Sequence, residues 1–197
     1  MRSLTILVGC SSSGKDTVMR ELINRYNFQP IISYTSRPMR ECEEQGREYH
    51  FVSKEDFIDK KNNGEFIETR EYNVAGGDTW FYGLPKRGID FQNDVNYITI
   101  LDLDGLIELQ RYLLKSGEQN KLMSIYLDVS GRNRLMRSLS RESCSTDEQV
   151  NEMVRRYIND NANVLPGKFF CDYFFDNNTP KQIENIVRFI VGSVGQL

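Results

Sequence analysis

The sequence has little of several things. Its 197 residues include only four cysteines, five prolines, one tryptophan and one histidine. Cys10, Cys42, Cys144 and Cys171 form no C-x-x-C pair. That spacing excludes a disulfide frame and a zinc ribbon, and predicts reduced thiols in a cytoplasmic protein. His50, the only histidine, reads as a packed or solvated strand residue rather than a catalyst. A basic excess is also missing: 25 Lys and Arg stand against 28 Asp and Glu, for a net charge of −3. No broad basic face is implied, so nucleic acid is not an expected partner. Long apolar runs are absent. "MRSLTILVG" is too short for a signal peptide or a membrane span, and "IVRFIVGSVGQL" is short and interrupted by Arg188, so no membrane partner is expected. The sequence names no protein partner either. A 39% hydrophobic content at this length suits one compact domain with small insertions.

What is present is an alternation of short apolar runs with amphipathic segments. "LTILVG", "PIISY", "NYITILDLD", "LMSIYLDV" and "CDYFFDN" read as five strands. The third and fourth are continuous apolar runs, as in a sheet covered on both faces. A helix after the first strand puts Val18, Leu22 and Ile23 on one stripe. Further helices fit 105–116, 131–141, 148–163 and 180–192, the last starting at Thr179-Pro180. Such alternation predicts an α/β fold with a five-stranded parallel sheet flanked by helices. Residues 34–92 break the rhythm. They are polar and turn-rich, with one helix, "SKEDFIDKK", capped by Ser53 and carrying Glu55 and Asp56 in its first turn. The expected organisation is a core of residues 1–33 and 93–197, a small α+β insertion at 34–92, and a short lid at about 137–150.

"ILVGCSSSGKDTVMREL" places Gly9, Gly14 and Lys15 at the spacing of a phosphate-binding loop, between a strand and a helix. In such a loop backbone N–H groups and the helix N-terminus cradle phosphate, and the lysine adds a mobile cation. Ser11, Ser12 and Ser13 keep the loop small and can add donors. The strict pattern has Ser or Thr after the lysine; this chain has Asp16, with Thr17 one place later. A bare carboxylate facing phosphate would repel it. Asp16 therefore points away, or it holds magnesium directly or through water. A plain Gly/Ser turn, with Asp16 favouring the helix N-terminus, is the blander alternative.

"SYTSRPMRECEEQGREYHFVSKEDF" followed by "NNGEFIE" resembles the guanylate kinase family, whose pattern S-x-T-T-R-x-x-R-x-x-E-x-x-G-x-D-Y-x-F it follows without a gap. With the loop and "DYFFDN" the resemblance covers nearly the whole chain, most densely residues 4–68. It implies a P-loop nucleoside monophosphate kinase that uses ATP and Mg2+. Arg37 and Arg40 fall where the family clamps the GMP phosphate, Tyr49 and Tyr82 at its phosphate-binding tyrosines, and Ser33 and Glu68 where it reads guanine. Asp104 aligns with an acid beside substrate or metal, and Asp102, two places earlier on the same strand face, is a further candidate metal group with Asp16 and Thr17. Asp104 also reads as a cap on the next helix. Asn177 falls at an asparagine near the adenine of ATP, where a turn-forming residue is an equal reading. The chain departs from the family at Leu84, where a Ser or Thr helps to read the base, and at Glu48, which replaces an aspartate.

"RNRLMRSLSRESCSTDEQVNEMVRR" gathers Arg132, Arg134, Arg137, Arg141, Arg155 and Arg156. Arg137, Arg141 and Arg155 or Arg156 resemble the family's lid arginines, which close over the triphosphate. Solvated helix faces paired with Glu142, Asp147 and Glu152 are the alternative. The expected function is transfer of the γ-phosphoryl of Mg-ATP to GMP or dGMP, with Lys15, Arg37, Arg137, Arg141 and Arg155 as the catalytic cations. A different nucleotide or a sugar phosphate as acceptor, and a non-catalytic protein-binding module, are the competing readings.

Overall fold

The computed structural model describes residues 3–40, 43–74, 77–140, 146–163 and 165–195. β1 (Leu4–Val8) runs through the centre of a parallel sheet and leads through a tight loop into α1 (Lys15–Tyr26). The chain then forms β2 (Gln29–Pro30), β3 (Tyr34–Thr35), β4 (His50–Phe51), α2 (Lys54–Asn62), β5 (Phe66–Asn73) and β6 (Thr79–Pro85). It continues with β7 (Tyr97–Ile100), α3 (Leu103–Ser116), β8 (Leu122–Asp128), α4 (Gly131–Leu139), α5 (Asp147–Asn163), β9 (Tyr173–Asp176) and α6 (Pro180–Ser193). The five-stranded sheet has the order β2-β7-β1-β8-β9, and every pair in it is parallel. The fold is the α/β architecture expected from the alternating strands and helices.

Strand alternation splits the core into two layers. Leu4, Ile6 and Val8 point to one face, where they meet Leu106, Leu109 and Leu113 of α3. Leu7 points to the other, against Val18 and Leu22 of α1 and Ile186, Val187, Ile190 and Val191 of α6. Each of these side chains is essentially fully buried, which stabilises by roughly 1.5–3 kcal/mol per side chain. Helix ends follow local chemistry. Ser53 caps α2 by accepting from Asp56 N–H, and Thr179 and Gln182 form a capping box at α6.

A second sheet of order β4-β3-β6-β5 is built from residues of the polar middle segment. α2 covers one face of it through Phe57, whose ring stacks on Phe66 and Phe81. Gly83 is required there, because a Cβ would come within 2.9 Å of Phe66 and 3.0 Å of Phe57.

Two expectations are corrected. "PIISY" is not one strand. Gln29–Pro30 pairs with β7 in the core sheet, and Tyr34–Thr35 pairs with β4 and β6 in the second. The three residues between carry the chain from one sheet to the other, though Ile31 N–H still bonds Ile98 O at 2.9 Å. Asp102 and Asp104 do not share a strand face, because β7 ends at Ile100. Asp102 rather than Asp104 is the N-cap of α3, accepting from Gly105 N–H, and Asp104 is exposed in the first helical turn.

Parallel strands aim their C-terminal ends the same way, so β1, β7, β8 and β9 deliver the glycine loop, Asp102, Asp128 and Asn177 to one edge of the sheet. β1 is the central strand, which puts the loop in the middle of that edge.

Candidate active site

The loop from Gly9 to Gly14 is shaped by its neighbours. Gly9 has φ 149°, and a Cβ there would meet Leu127 O of β8 at 2.7 Å. Gly14, the N-cap of α1, has φ 94°. A Cβ at Gly14 would strike Asn177 Nδ2 at 2.5 Å. Both positions therefore need glycine, for backbone conformation and for space. Lys15 curls back over the loop, with Nζ 2.7 Å from Gly9 O, 2.8 Å from Cys10 O and 3.5 Å from Ser13 Oγ. Those carbonyls hold the ammonium at the loop mouth, from where its flexible stem can reach a phosphate.

Three elements brace this loop. Asn177 is fully buried and donates from Nδ2 to Ser13 O at 2.8 Å, so it supports the loop from β9 rather than forming a surface turn. From α4, Arg137 donates to Asn177 O at 2.7 Å and to Ser12 O at 3.4 Å, and Ser138 Oγ lies 2.7 Å from Ser12 Oγ. Partial burial holds the Arg137 pKa below its ordinary value. From α5, Asp160 accepts from Ser11 N–H at 2.5 Å. Arg134 lies behind Asp160, itself 2% exposed, with Nη1 3.8 Å from the carboxylate and its guanidinium 4.7 Å from the Tyr157 ring. Arg134, which the sequence groups with the lid arginines, and Asp160, to which no motif points, are loop-building residues.

The second sheet presents a face of different chemistry. Arg37 is 4% exposed and makes a two-pronged pair with Glu43, Nη1 to Oε2 at 2.9 Å and Nη2 to Oε1 at 2.8 Å. Its guanidinium lies 5.5 Å from the Tyr49 ring and 5.4 Å from the Phe51 ring. Burial alone would raise the Glu43 carboxyl, but hydrogen bonds from Arg37 and from Arg40 N–H hold it below its usual range. Glu43 thus holds an acidic oxygen pair on the guanidinium fork that a phosphate would use. Tyr49 and Tyr82 meet edge to face at 5.6 Å, and Tyr82 meets Tyr72 at 5.4 Å. Burial pushes the Tyr49 phenol up to about 12, with Tyr82 adding to the shift. Tyr49 is therefore a hydroxyl donor at any ordinary pH. His50 is a packed strand residue, its ring 4.6 Å from that of Tyr34.

Glu68 lies deeper on this sheet, 7% exposed. Burial pushes its carboxyl up to about 7, against a lowering pull from Arg70. Arg70 bridges to α3, with Nε 3.3 Å from Asp102 Oδ1, and Tyr72 donates its hydroxyl to the other Asp102 oxygen. Leu84, directly across the strand pair from Glu68, is fully buried among Leu4, Ile6 and Leu106. It offers no side-chain hydrogen bond at that position. Ser33 is half-buried, and its carbonyl accepts from His50 N–H.

Charges of one face are felt on the other. Asp16 on α1 is close enough for its charge to raise the Tyr49 phenol further. Arg40 helps to lower the Glu152 carboxyl on α5, and the field at Arg155 includes Tyr82 and Asp160. Arg155 itself is held by Glu152, Nε to Oε2 at 2.7 Å and Nη2 to Oε1 at 2.8 Å. The structure thus brings Asp16 within electrostatic reach of Tyr49, Arg40 of Glu152, and Tyr82 of Arg155, while Lys15 and Arg137 sit on the loop. Asp104 stands apart, exposed on α3. Arg141 lies outside the described residues, as do Cys42, Glu142 and Cys144.

The oxygen donors in the first turn of α1 are of the type that a hard divalent cation takes. Asp16 and Thr17 are exposed in the first turn of α1. Among the described residues no three His, Cys, Asp or Glu groups gather into a protein-only cage. Mg2+ needs none, since it keeps water and phosphate oxygens beside one or two protein ligands. Asp102 does not fit as a direct ligand, because Gly105 N–H, Arg70 and Tyr72 already occupy its oxygens. Cys10 and Cys171 are free thiols, and no described helix is long and apolar enough to cross a membrane.

Comparison with known proteins bears on the same arrangement. The guanylate kinase family model matches residues 1–190. A guanylate kinase of Mesomycoplasma hyopneumoniae (strain 7448) is 29% identical over 195 residues, 96% of this chain and 94% of that one. A guanylate kinase of Anaplasma phagocytophilum (strain HZ) is 27% identical over 193 residues, covering 94% of this chain and 85% of that one. One from Clostridium tetani is 39% identical over 101 residues, 51% of this chain and 46% of its own length. Among solved structures, the crystal structure of guanylate kinase from Anaplasma phagocytophilum superposes with a TM-score of 0.60 at 22% identity, over 98% of this chain and 84% of that one. That likeness is one of fold.

Proposed function

The chain belongs to the guanylate kinase family, and on that premise we propose that it transfers the γ-phosphoryl group of ATP to GMP or dGMP with Mg2+. The observation that supports this reading is the nearness of a glycine loop holding Lys15 to a second sheet that carries a buried arginine and two tyrosines, with the charge of Asp16 felt at Tyr49. Lys15 belongs to the loop, and Arg37, Tyr49 and Tyr82 belong to the second sheet and its flanking loop.

ATP phosphates lie in the loop of Gly9, Ser11, Ser12, Ser13 and Gly14, against Lys15, at the N-terminus of α1. Asp16 and Thr17 would hold Mg2+, which neutralises charge on the transferring phosphates when bound. The acceptor phosphate takes the Arg37 fork from Glu43 and adds Arg40 and the hydroxyls of Tyr49 and Tyr82. Glu68, with Ser33, accepts from the adjacent N1–H and N2–H2 donors of guanine; adenine has no such pair. An ionised acceptor phosphate needs no general base, so these residues act by alignment and charge neutralisation. Arg137 and Arg155 approach from α4 and α5 to stabilise charge on the transferring group, and Arg141 belongs to the same lid. Residues 34–92 are the acceptor-binding unit and residues near 137–150 the lid, whose closure excludes water. Free thiols at Cys10 and Cys171 suit a cytoplasmic setting.

The test is a coupled assay of ADP release with GMP, dGMP, AMP, dTMP and ribose 5-phosphate. Turnover confined to guanine nucleotides is expected; turnover of another acceptor alone overturns the reading. Calorimetry of ATP with the wild type and Lys15→Ala separates an enzyme from a protein-binding module. Equal weak binding to both would favour the module.

A further inference from the structure

Glu68 and Arg70 carry two buried polar atoms with nothing to bond to. Glu68 Oε2 and Arg70 Nη2 are both sealed from solvent and without a hydrogen-bond partner. Such orphans are uncommon in native proteins, and each costs free energy until it is satisfied. These two are neighbours. Arg70 Nη1, on the same guanidinium carbon as Nη2, lies 3.5 Å from Glu68 Oε2, too far for a good hydrogen bond. Both side chains border a cleft of about 330 Å³ whose lining also includes Lys61, Glu108 and the β5 residues Phe66, Ile67 and Thr69. That volume is at the lower end for small-molecule pockets, roughly 300–1,000 Å³.

The rest of the Arg70 guanidinium is fixed. Nε reaches Asp102 at 3.3 Å and Nη1 donates to Thr69 O at 3.0 Å. Asp102 is fixed in turn by capping α3 and by Tyr72. The plane of the fork is therefore set from both sides, with Nη2 left over. Opposite Glu68, where a hydroxyl would be expected to help read the base, Leu84 is wholly committed to the core.

We propose that Arg70 is a specificity-determining residue of the acceptor site, donating from Nη2 to the O6 oxygen of guanine while Glu68 accepts from the neighbouring N1–H. The proposal rests on the assignment of GMP as acceptor. A free donor beside a free acceptor is the complement of an oxygen beside an N–H, which is the order on guanine. Adenine presents the reverse, an amino group beside a bare ring nitrogen. It would set donor against donor at Arg70 and acceptor against acceptor at Glu68. The pair thus selects by attraction and by mismatch together. Arg70 does the work that the missing hydroxyl at Leu84 does not.

The experiment compares kcat/KM for GMP and for 6-thio-GMP, whose sulfur is a poor acceptor but whose N1–H is retained. It uses the full chain as wild type, Arg70→Met, Arg70→Lys and Tyr72→Phe. Wild type should prefer GMP on the order of 10- to 100-fold, the value of one hydrogen bond to a charged donor. Arg70→Met should bring that ratio close to one, through KM for GMP, with KM for ATP unchanged. Arg70→Lys should keep part of the preference and serves if the Met variant does not fold. Tyr72→Phe, which loosens only the Asp102 end, should keep all of it. A preference that is the same in wild type and in the Arg70 variants, or one that Tyr72→Phe abolishes equally, makes Arg70 a structural tie and overturns the proposal. Wild type that fails to phosphorylate GMP overturns the acceptor assignment itself, a result distinct from an active enzyme with an unchanged ratio.

Discussion

Asp160, in the last turn of α5, accepts a 2.5 Å hydrogen bond from the backbone N–H of Ser11 inside the phosphate loop. A helix remote in sequence therefore fixes the shape of the first turn, and does so with a negative charge. Arg134 offsets that charge from behind. Removing the carboxylate leaves Arg134 buried without its ion partner, a change that costs about 3–5 kcal/mol in comparable cases. Asp160→Ala should lower the unfolding free energy by that order in urea and raise KM for ATP. Asp160→Asn should keep the bond to Ser11 and lose less. Unaltered urea midpoints in both would show that the loop does not depend on this contact.

Asn177 gives a narrower case. Its side chain holds Ser13 O, and its carbonyl holds Arg137. Asn177→Ala strands one buried loop carbonyl, worth about 1–3 kcal/mol. The expected outcome is weaker ATP binding by calorimetry, with KM for GMP unchanged because the second sheet is not involved. A change confined to GMP would contradict this placement.

Much of this was legible in the sequence. The glycine loop, the parallel sheet, the helices and the Ser53 and Thr179 caps all follow from short-range patterns, and the structure reproduces them. "PIISY" misled because β-branched residues read as strand whether they pair continuously or cross between two sheets. Asp102 and Asp104 misled because the strand pattern ran on past Ile100, where capping of α3 wins over continued pairing. Glu43 on Arg37, Asp160 on Ser11 and Arg70 between Glu68 and Asp102 were not legible. Each joins ordinary charged residues whose proximity is made by the fold and whose local sequence carries no signal.

Arg37 tests the acceptor face. Lysine keeps the charge but loses the planar fork that matches a carboxylate or phosphate. Arg37→Lys should raise KM for GMP by about tenfold or more, the value of one charge-assisted hydrogen bond. KM for ATP should move little. Lys15→Ala should do the opposite, lowering kcat and weakening ATP while sparing GMP binding measured alone. Steady-state kinetics with each substrate varied in turn separates the two, and parallel losses for both substrates in both variants would contradict two separate faces.

Glu68 ties pH to acceptor recognition. Burial raises its carboxyl from an ordinary 4.5 to about 7. Only the ionised form accepts from both guanine donors, so KM for GMP should fall about tenfold as pH rises from about 6 to about 8. Glu68→Gln should lose most of the guanine preference and keep only the slope due to the phosphate of GMP itself. Stability runs the other way. A carboxyl whose folded pKa is raised contributes fully below its unfolded value, and that contribution is lost as pH climbs from about 4.5 through about 7. The ligand-free protein should therefore lose up to about 3 kcal/mol from this group across that window, and Glu68→Gln should remove the loss. Thermal unfolding of both proteins at about pH 5 and about pH 8, with and without GMP, checks the two slopes together. Wild-type profiles parallel to Glu68→Gln in both measurements would place the Glu68 charge outside recognition.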